Sequence, residues 1–115
     1  MREDVIRTKS YQFALEIVKL SRQLADERKE FVLSKQVLRS GMSIGANVEE
    51  SKQAQSRVDF IHKLSIANKE AFETNYWLRL LRDSNLIDEQ IARSLLADCD
   101  EIQRILVASI KTAKA

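Results

Sequence analysis

Proline is absent from this 115-residue chain, and it contains only two glycines, one cysteine, one histidine and one tryptophan. Sandwiches and barrels need turn residues at short, regular intervals, and neither proline nor two glycines can supply them. An all-α fold follows. The single Cys99 excludes an internal disulfide and fits a reducing compartment. No apolar run approaches the roughly 20 residues of a membrane span, and the charged N-terminus has no apolar leader segment. The sequence thus predicts a cytoplasmic protein without a membrane role. An excess of one charge is missing too. Nineteen basic residues face 17 acidic ones, a formal net charge of +2, and no quarter of the chain departs from neutrality by more than one charge. There is no basic tail, so attraction to nucleic acid would require clustering in space or in an oligomer.

What is present is helical periodicity. Residues 1–8 read as a short polar arm with Val5 and Ile6 as exceptions. Phe13, Ile17, Leu20 and Leu24 then recur every three or four residues, predicting a helix over 10–28. The charged cluster Asp26 to Glu30 marks a turn. Phe31 and Leu33 restart burial in a second helix over 31–55. Ser56-Arg57-Val58-Asp59 has capping-box spacing, so a third helix starts at 57. Along it Phe60, Leu64, Ala67, Ala71, Thr74, Leu78 and Leu81 alternate steps of four and three, a sustained heptad seam running to about 83. Asp88 is the N-cap expected for a last helix over 88–112. That helix carries Ala92, Leu95, Cys99, Ile102, Leu106 and Ser109, with Ile91, Ile105 and Ile110 widening the stripe. Short turns make sequential helices antiparallel neighbours. The expectation is one domain over residues 1–115, an up-down-up-down antiparallel four-helix bundle. Phe72, Tyr76, Trp77, Ile66 and Ile105 exceed what one small core needs, which predicts a homo-oligomer. Phe72, Tyr76 and Trp77 are the interface candidates.

Both glycines, Gly41 and Gly45, lie inside the second helix, where each costs about 1 kcal/mol relative to alanine. Close approach of another backbone is the expected reason. On another face of the same helix, Arg39, Ser43, Asn47 and Glu50 fall within roughly 80° of one another at about 100° per residue. This polar stripe reads as an assembly element, with Asn and Arg setting register. Its alternative is a ligand surface on which Arg39 and Lys35 meet phosphate.

Catalytic and metal chemistry find little support. One histidine, His62, cannot supply the paired Glu-x-x-His motifs of a di-iron bundle. Cys99 occupies a seam position and reads as a small core residue. Glu49-Glu50 and Glu70-x-x-Glu73 read as a solvated face or as helix pairs such as Lys69 with Glu73. No phosphate loop, nucleophile motif or dinucleotide fingerprint occurs. The expectation is no enzyme, no cofactor and no metal.

Two stretches carry a family resemblance. Arg39-Ser40-Gly41-Met42-Ser43-Ile44-Gly45-Ala46-Asn47-Val48-Glu49-Glu50 resembles the signature of the four-helix-bundle proteins named after the 23S rRNA intervening sequence. The run from Asp59 through Lys63-Leu64-Ser65-Ile66-Ala67 and Tyr76-Trp77-Leu78-Arg79 to Leu81 is similar to that family's third helix. The likeness spans residues 10–110. The chain departs from many members at Ser51 and at Lys69-Glu70, where they carry glycine and Gly-Ser. The resemblance implies a four-helix bundle assembled as a ring, with a pentamer favoured. The family's name reflects a reading frame found within insertions of bacterial rRNA genes. A similar bundle, the accessory protein of diversity-generating retroelements, binds nucleic acid as a basic pentamer.

Together these readings predict a non-catalytic homo-oligomeric accessory protein that binds RNA or DNA. Lys35, Arg39, Lys52, Arg57 and Lys63 would gather charge around the turn between the second and third helices. The alternative is a scaffold that binds a protein partner and no nucleic acid.

Overall fold

The computed structural model describes residues 4–115, which form four helices: α1 (Val5–Arg28), α2 (Val32–Ser51), α3 (Arg57–Asp83) and α4 (Glu89–Lys114). They pack side by side in an elongated body of 45 × 24 × 21 Å. Each helix packs along its length on its neighbour in sequence, whereas α1 and α4 touch over a much shorter stretch.

Helix α1 begins five residues earlier than the periodicity suggests, at Val5, so the polar arm is helical from Val5 onward. The Asp4 carboxylate accepts from the Arg7 amide at 3.3 Å and caps the first turn. Ile6 is buried in phase with Ser10, Phe13 and Ile17, which gives the extra turn an apolar anchor. The remainder of the predicted arm, residues 1–3, lies outside the described residues. At the other end Lys29 adopts a left-handed conformation, φ 53°, and the Glu30 amide returns to the Leu24 carbonyl at 2.9 Å.

Helix α2 starts at Val32 rather than 31, and Phe31 is exposed, so it does not restart burial. The Glu30 carboxylate caps this end instead, accepting from the amides of Val32 and Leu33 at 2.7 Å each. The helix stops at Ser51, four residues short of the predicted end. There the amides of Lys52, Gln53 and Ala54 turn back three residues each and tighten the chain. The Ser56 cap of α3 is as predicted, its hydroxyl accepting from Asp59 N–H at 3.1 Å. The returning Asp59 carboxylate takes the Gln55 amide, at 3.4 Å. Asp88 stands at the start of α4 without a side-chain capping bond.

The core follows the predicted seams. Every α3 heptad residue from Leu64 to Leu81 is buried, as are Ala92, Leu95, Cys99, Ile102 and Leu106, while Phe60 packs partly buried against them. The buried polar residues are small hydroxyl side chains held by hydrogen bonds. Ser21 donates to the Ser34 carbonyl at 3.1 Å, Ser51 to Val48 at 2.6 Å and Thr74 to Glu70 at 2.7 Å, with Ser40 2.9 Å from Thr74. Satisfied polar groups of this size cost the core little.

The glycines lie where α1 crosses α2. A Cβ at Gly41 would come within 2.7 Å of Ile17 Cγ2, and one at Gly45 within 3.3 Å of the Ser10 carbonyl oxygen. The approach inferred from sequence is present. At Gly45 the neighbour is backbone, but at Gly41 it is a side chain.

Candidate interaction surfaces

The polar stripe of α2 lies along its flank with α3 and ties the two helices together. The Arg39 guanidinium reaches across to Glu70, at 3.3 Å, and to Glu73. Glu50 pairs with Lys63 at 2.8 Å. Between these clamps Ser43 donates to the Arg39 carbonyl and Asn47 to the Ser43 carbonyl, each at 2.8 Å. Such bonds to carbonyls one turn back satisfy polar side chains locally. The Lys69–Glu73 pair expected from spacing is replaced, because Glu73 also accepts from Trp77 Nε1 at 3.0 Å. Trp77 is accordingly half-buried against the core and anchored within the chain, unlike Phe72 and Tyr76.

The five candidate phosphate-binding cations do not gather at one turn. At about 1.5 Å per residue, Lys35 lies about 24 Å from the end of α2 and Arg39 about 18 Å. Lys52 pairs with Asp4 at 2.5 Å, so Arg39, Lys52 and Lys63 are all engaged by carboxylates. Hydrogen bonding and attraction from Glu50 raise the Lys63 pKa further. Arg57 alone is an exposed cation at the turn without an ion pair among the described residues. Cys99 Sγ lies 3.2 Å from the Ala71 carbonyl, a contact between α3 and α4. Arg104, Lys111 and Lys114 are exposed and have no ion pair among the described residues.

Among the described residues no group of His, Cys, Asp and Glu is arranged to hold a metal ion. Glu49 pairs with Arg7 at 2.8 Å, so Glu49 and Glu50 serve different partners. His62 is exposed. Burial pushes the Cys99 thiol up to about 12, with the charges of Asp100 and Asp98 adding to it. That protonated, enclosed thiol is a packing group rather than a nucleophile. A broad cleft of about 1310 Å³ separates α1 from α4, with Phe13, Leu20, Leu95 and Ile102 at its floor. On its rim burial raises the Asp98 pKa, and Glu101 and Glu16 reinforce the shift while Lys9 opposes it.

Besides the α1–α4 cleft and single exposed side chains such as Phe31 and Val32, two apolar features stand out among the described residues. Phe72, Tyr76 and Leu80 form an i, i+4, i+8 ridge along the outer side of α3, with Val58 exposed at its beginning. Tyr76 meets Trp77 edge to face at 5.2 Å, and the Arg79 guanidinium lies 5.8 Å from the Tyr76 ring centre. On the α1–α2 side, Tyr11, Leu15, Val18 and Met42 wall a groove of about 330 Å³ in which Ala14, Gly45 and Ala46 also take part. Sequence reasoning named the aromatic members of the ridge but missed the groove. Its only signal was that Tyr11 and Leu15 fall well off the Phe13–Ile17 seam.

No helix among the described residues is long and apolar enough to cross a membrane. The chain resembles a protein of unknown function from the S23 ribosomal protein family of Bacteroides thetaiotaomicron, known from a 1.70 Å crystal structure. The two share 53% sequence identity over 92% of this chain and 98% of that one, with a TM-score of 0.91. No curated protein matches the chain. The pattern that defines the 23S rRNA-intervening sequence proteins matches residues 2–108. With nearly the whole chain matched, this four-helix protein belongs to the 23S rRNA-intervening sequence protein family.

Proposed function

We propose that this protein is a non-catalytic, cytoplasmic scaffold, an up-down-up-down bundle that assembles with copies of itself and binds a macromolecular partner. The observation that carries this reading is the apolar surface exposed on the folded chain, most clearly at the α3 ridge and the α1–α2 groove. Exposed apolar patches of this kind mark interaction sites more often than idle surface. The family resemblance supports a ring of five as the assembled form.

A nucleic-acid reading is favoured by a different observation. Arg57 at the start of α3 and Lys111 and Lys114 in the last turn of α4 are exposed and have no ion pair among the described residues. A ring would repeat that charge around its rim and strengthen attraction to phosphate. Arg39, Lys52 and Lys63 drop out as the main contacts, because their charge is already met by carboxylates of the same chain.

Light scattering behind size exclusion tests the assembly. A chain of 13.2 kDa should elute at a several-fold larger mass, and a concentration-independent monomer would refute the scaffold. Fluorescence anisotropy with labelled RNA and DNA hairpins then separates the two partner classes. Salt-sensitive binding lost in the Arg57→Glu, Lys111→Glu, Lys114→Glu triple variant supports nucleic acid. No binding at low salt leaves the protein partner.

A further inference from the structure

We propose that the outer stripe of α3 is a stacking platform for single-stranded nucleic acid, with unpaired bases on Phe72 and Tyr76 and phosphates on Lys69 and Arg79. This rests on the nucleic-acid reading above and gives it a base-contacting surface. At about 100° per residue, His62, Ser65, Lys69, Phe72, Tyr76 and Arg79 share an arc of about 100°, and all six are exposed. From Val58 to Leu80 no aspartate or glutamate lies on that arc. Glu73 stands at its edge, but its carboxylate is taken up by Arg39 and by Trp77 Nε1. Asp83, beyond Leu80, pairs with Arg82 at 2.8 Å. Lys69 and Arg79 make no ion pair among the described residues. The face therefore offers an available cation on each side of two bare rings.

The rings and one of the cations are held in place without being covered. Phe72 is 73% exposed and Tyr76 50%. Tyr76 meets the half-buried Trp77 edge to face at 5.2 Å, and Trp77 is itself fixed by Glu73. The Arg79 guanidinium, 5.8 Å from the Tyr76 ring centre, is tethered by Asn75 Oδ1 at 2.8 Å. An aromatic face accepts any base, and a cation beside it meets the phosphate chain that carries the base. Lys69 to Arg79 spans about 15 Å of helix, the length of about four nucleotides stacked at roughly 3.4 Å each. A duplex keeps its base faces inside its own stack and would reach only the cations. Lysine is depleted from the cores of protein–protein interfaces, so Lys69, one turn before Phe72, fits a phosphate chain better than an apolar partner.

Fluorescence anisotropy of the full chain with short labelled oligo(dT) and oligo(U), against a hairpin of the same length, tests the platform. At low salt the single strands should bind more tightly than the hairpin. Phe72→Leu and Tyr76→Leu keep an apolar side chain but remove the ring. Each should weaken single-strand binding about 5- to 150-fold, the range of one base–aromatic stack, and leave hairpin binding unchanged. Tyr76→Phe keeps the ring and should bind as wild type. Lys69→Gln with Arg79→Gln should lower the slope of log affinity against log salt by about 1.4, two phosphates at roughly 0.7 each. Circular dichroism checks that every variant keeps its helices. Leucine variants that bind single strands as wild type does, or an equal preference for the hairpin, overturn the platform and leave the nucleic-acid reading at Arg57, Lys111 and Lys114 standing. No binding of any probe at low salt overturns both.

Discussion

Replacing Gly41 with alanine should destabilise the fold even though alanine is the better helix former. The gain in helix propensity is about 1 kcal/mol. Against it, the new Cβ would stand 2.7 and 2.9 Å from Ile17 Cγ2 and Cγ1, about 1 Å inside ordinary carbon contact. Ile17 is fully buried and β-branched, so it can neither swing aside nor change rotamer cheaply. Overpacking of this kind costs about 1–3 kcal/mol, and two such contacts favour the upper half of that range. A net loss of about 1–2 kcal/mol is expected. Gly45→Ala meets only the Ser10 carbonyl oxygen at 3.3 Å, which needs a shift of tenths of an ångström. That variant should lie within about 0.5 kcal/mol of wild type or above it, the helix gain offsetting the displacement. Urea unfolding followed by circular dichroism at fixed protein concentration measures both. Ile17→Ala supplies the control: alone it costs about 2–5 kcal/mol, but in its background Gly41→Ala should lose its cost, because only the retained Cβ, at 3.2 Å, stays close. The steric reasoning is wrong if Gly41→Ala matches wild type, or if its cost is unchanged when Ile17 is truncated.

Other consequences follow from named contacts. Arg39→Ala would leave Glu70 and Glu73 beside each other without their cation, and Glu70 is largely enclosed; a loss of about 1–2 kcal/mol is expected. Adding Glu70→Gln should recover part of it, and Trp77 emission should shift because its indole shares Glu73. Cys99, with its thiol pushed up to about 12, should resist iodoacetamide in the folded protein and react once urea unfolds it. Asp98 has a folded pKa raised above 3.8, first by burial and then by Glu101 and Glu16, so its ionised form destabilises the fold. Asp98→Asn should therefore be more stable than wild type at neutral pH. That advantage should shrink as pH falls through the raised value and vanish below 3.8, as read from urea midpoints across pH.

The helices were legible because their seams repeat locally. Heptad steps from Leu64 to Leu81 and the Ser56–Asp59 cap depend on residues within one or two turns, and they appear in the structure as read. Ends governed by distant groups were not legible. The first turn of α1 depends on Ile6 reaching the core and on Asp4 joining Lys52, across 48 positions of sequence. The end of α2 depends on a tightening turn that a continuing polar pattern conceals. The interaction surfaces divide in the same way. Excess apolar residues in α3 pointed to Phe72 and Tyr76, but a groove made jointly by α1 and α2 has no signature in either helix alone.

Composition and periodicity by themselves determined that this is an all-α chain of four amphipathic helices, because turn chemistry and helical phase are properties of neighbouring residues. Tertiary structure alone decided which charges remain available. Arg39 and Lys63 are cations in the sequence, yet Glu70, Glu73 and Glu50 of facing helix flanks meet their charge. Arg57, Arg104, Lys111 and Lys114 are exposed and keep theirs, with no ion pair among the described residues. Electrostatics act through distance in space, and the sequence lists distance only along the chain.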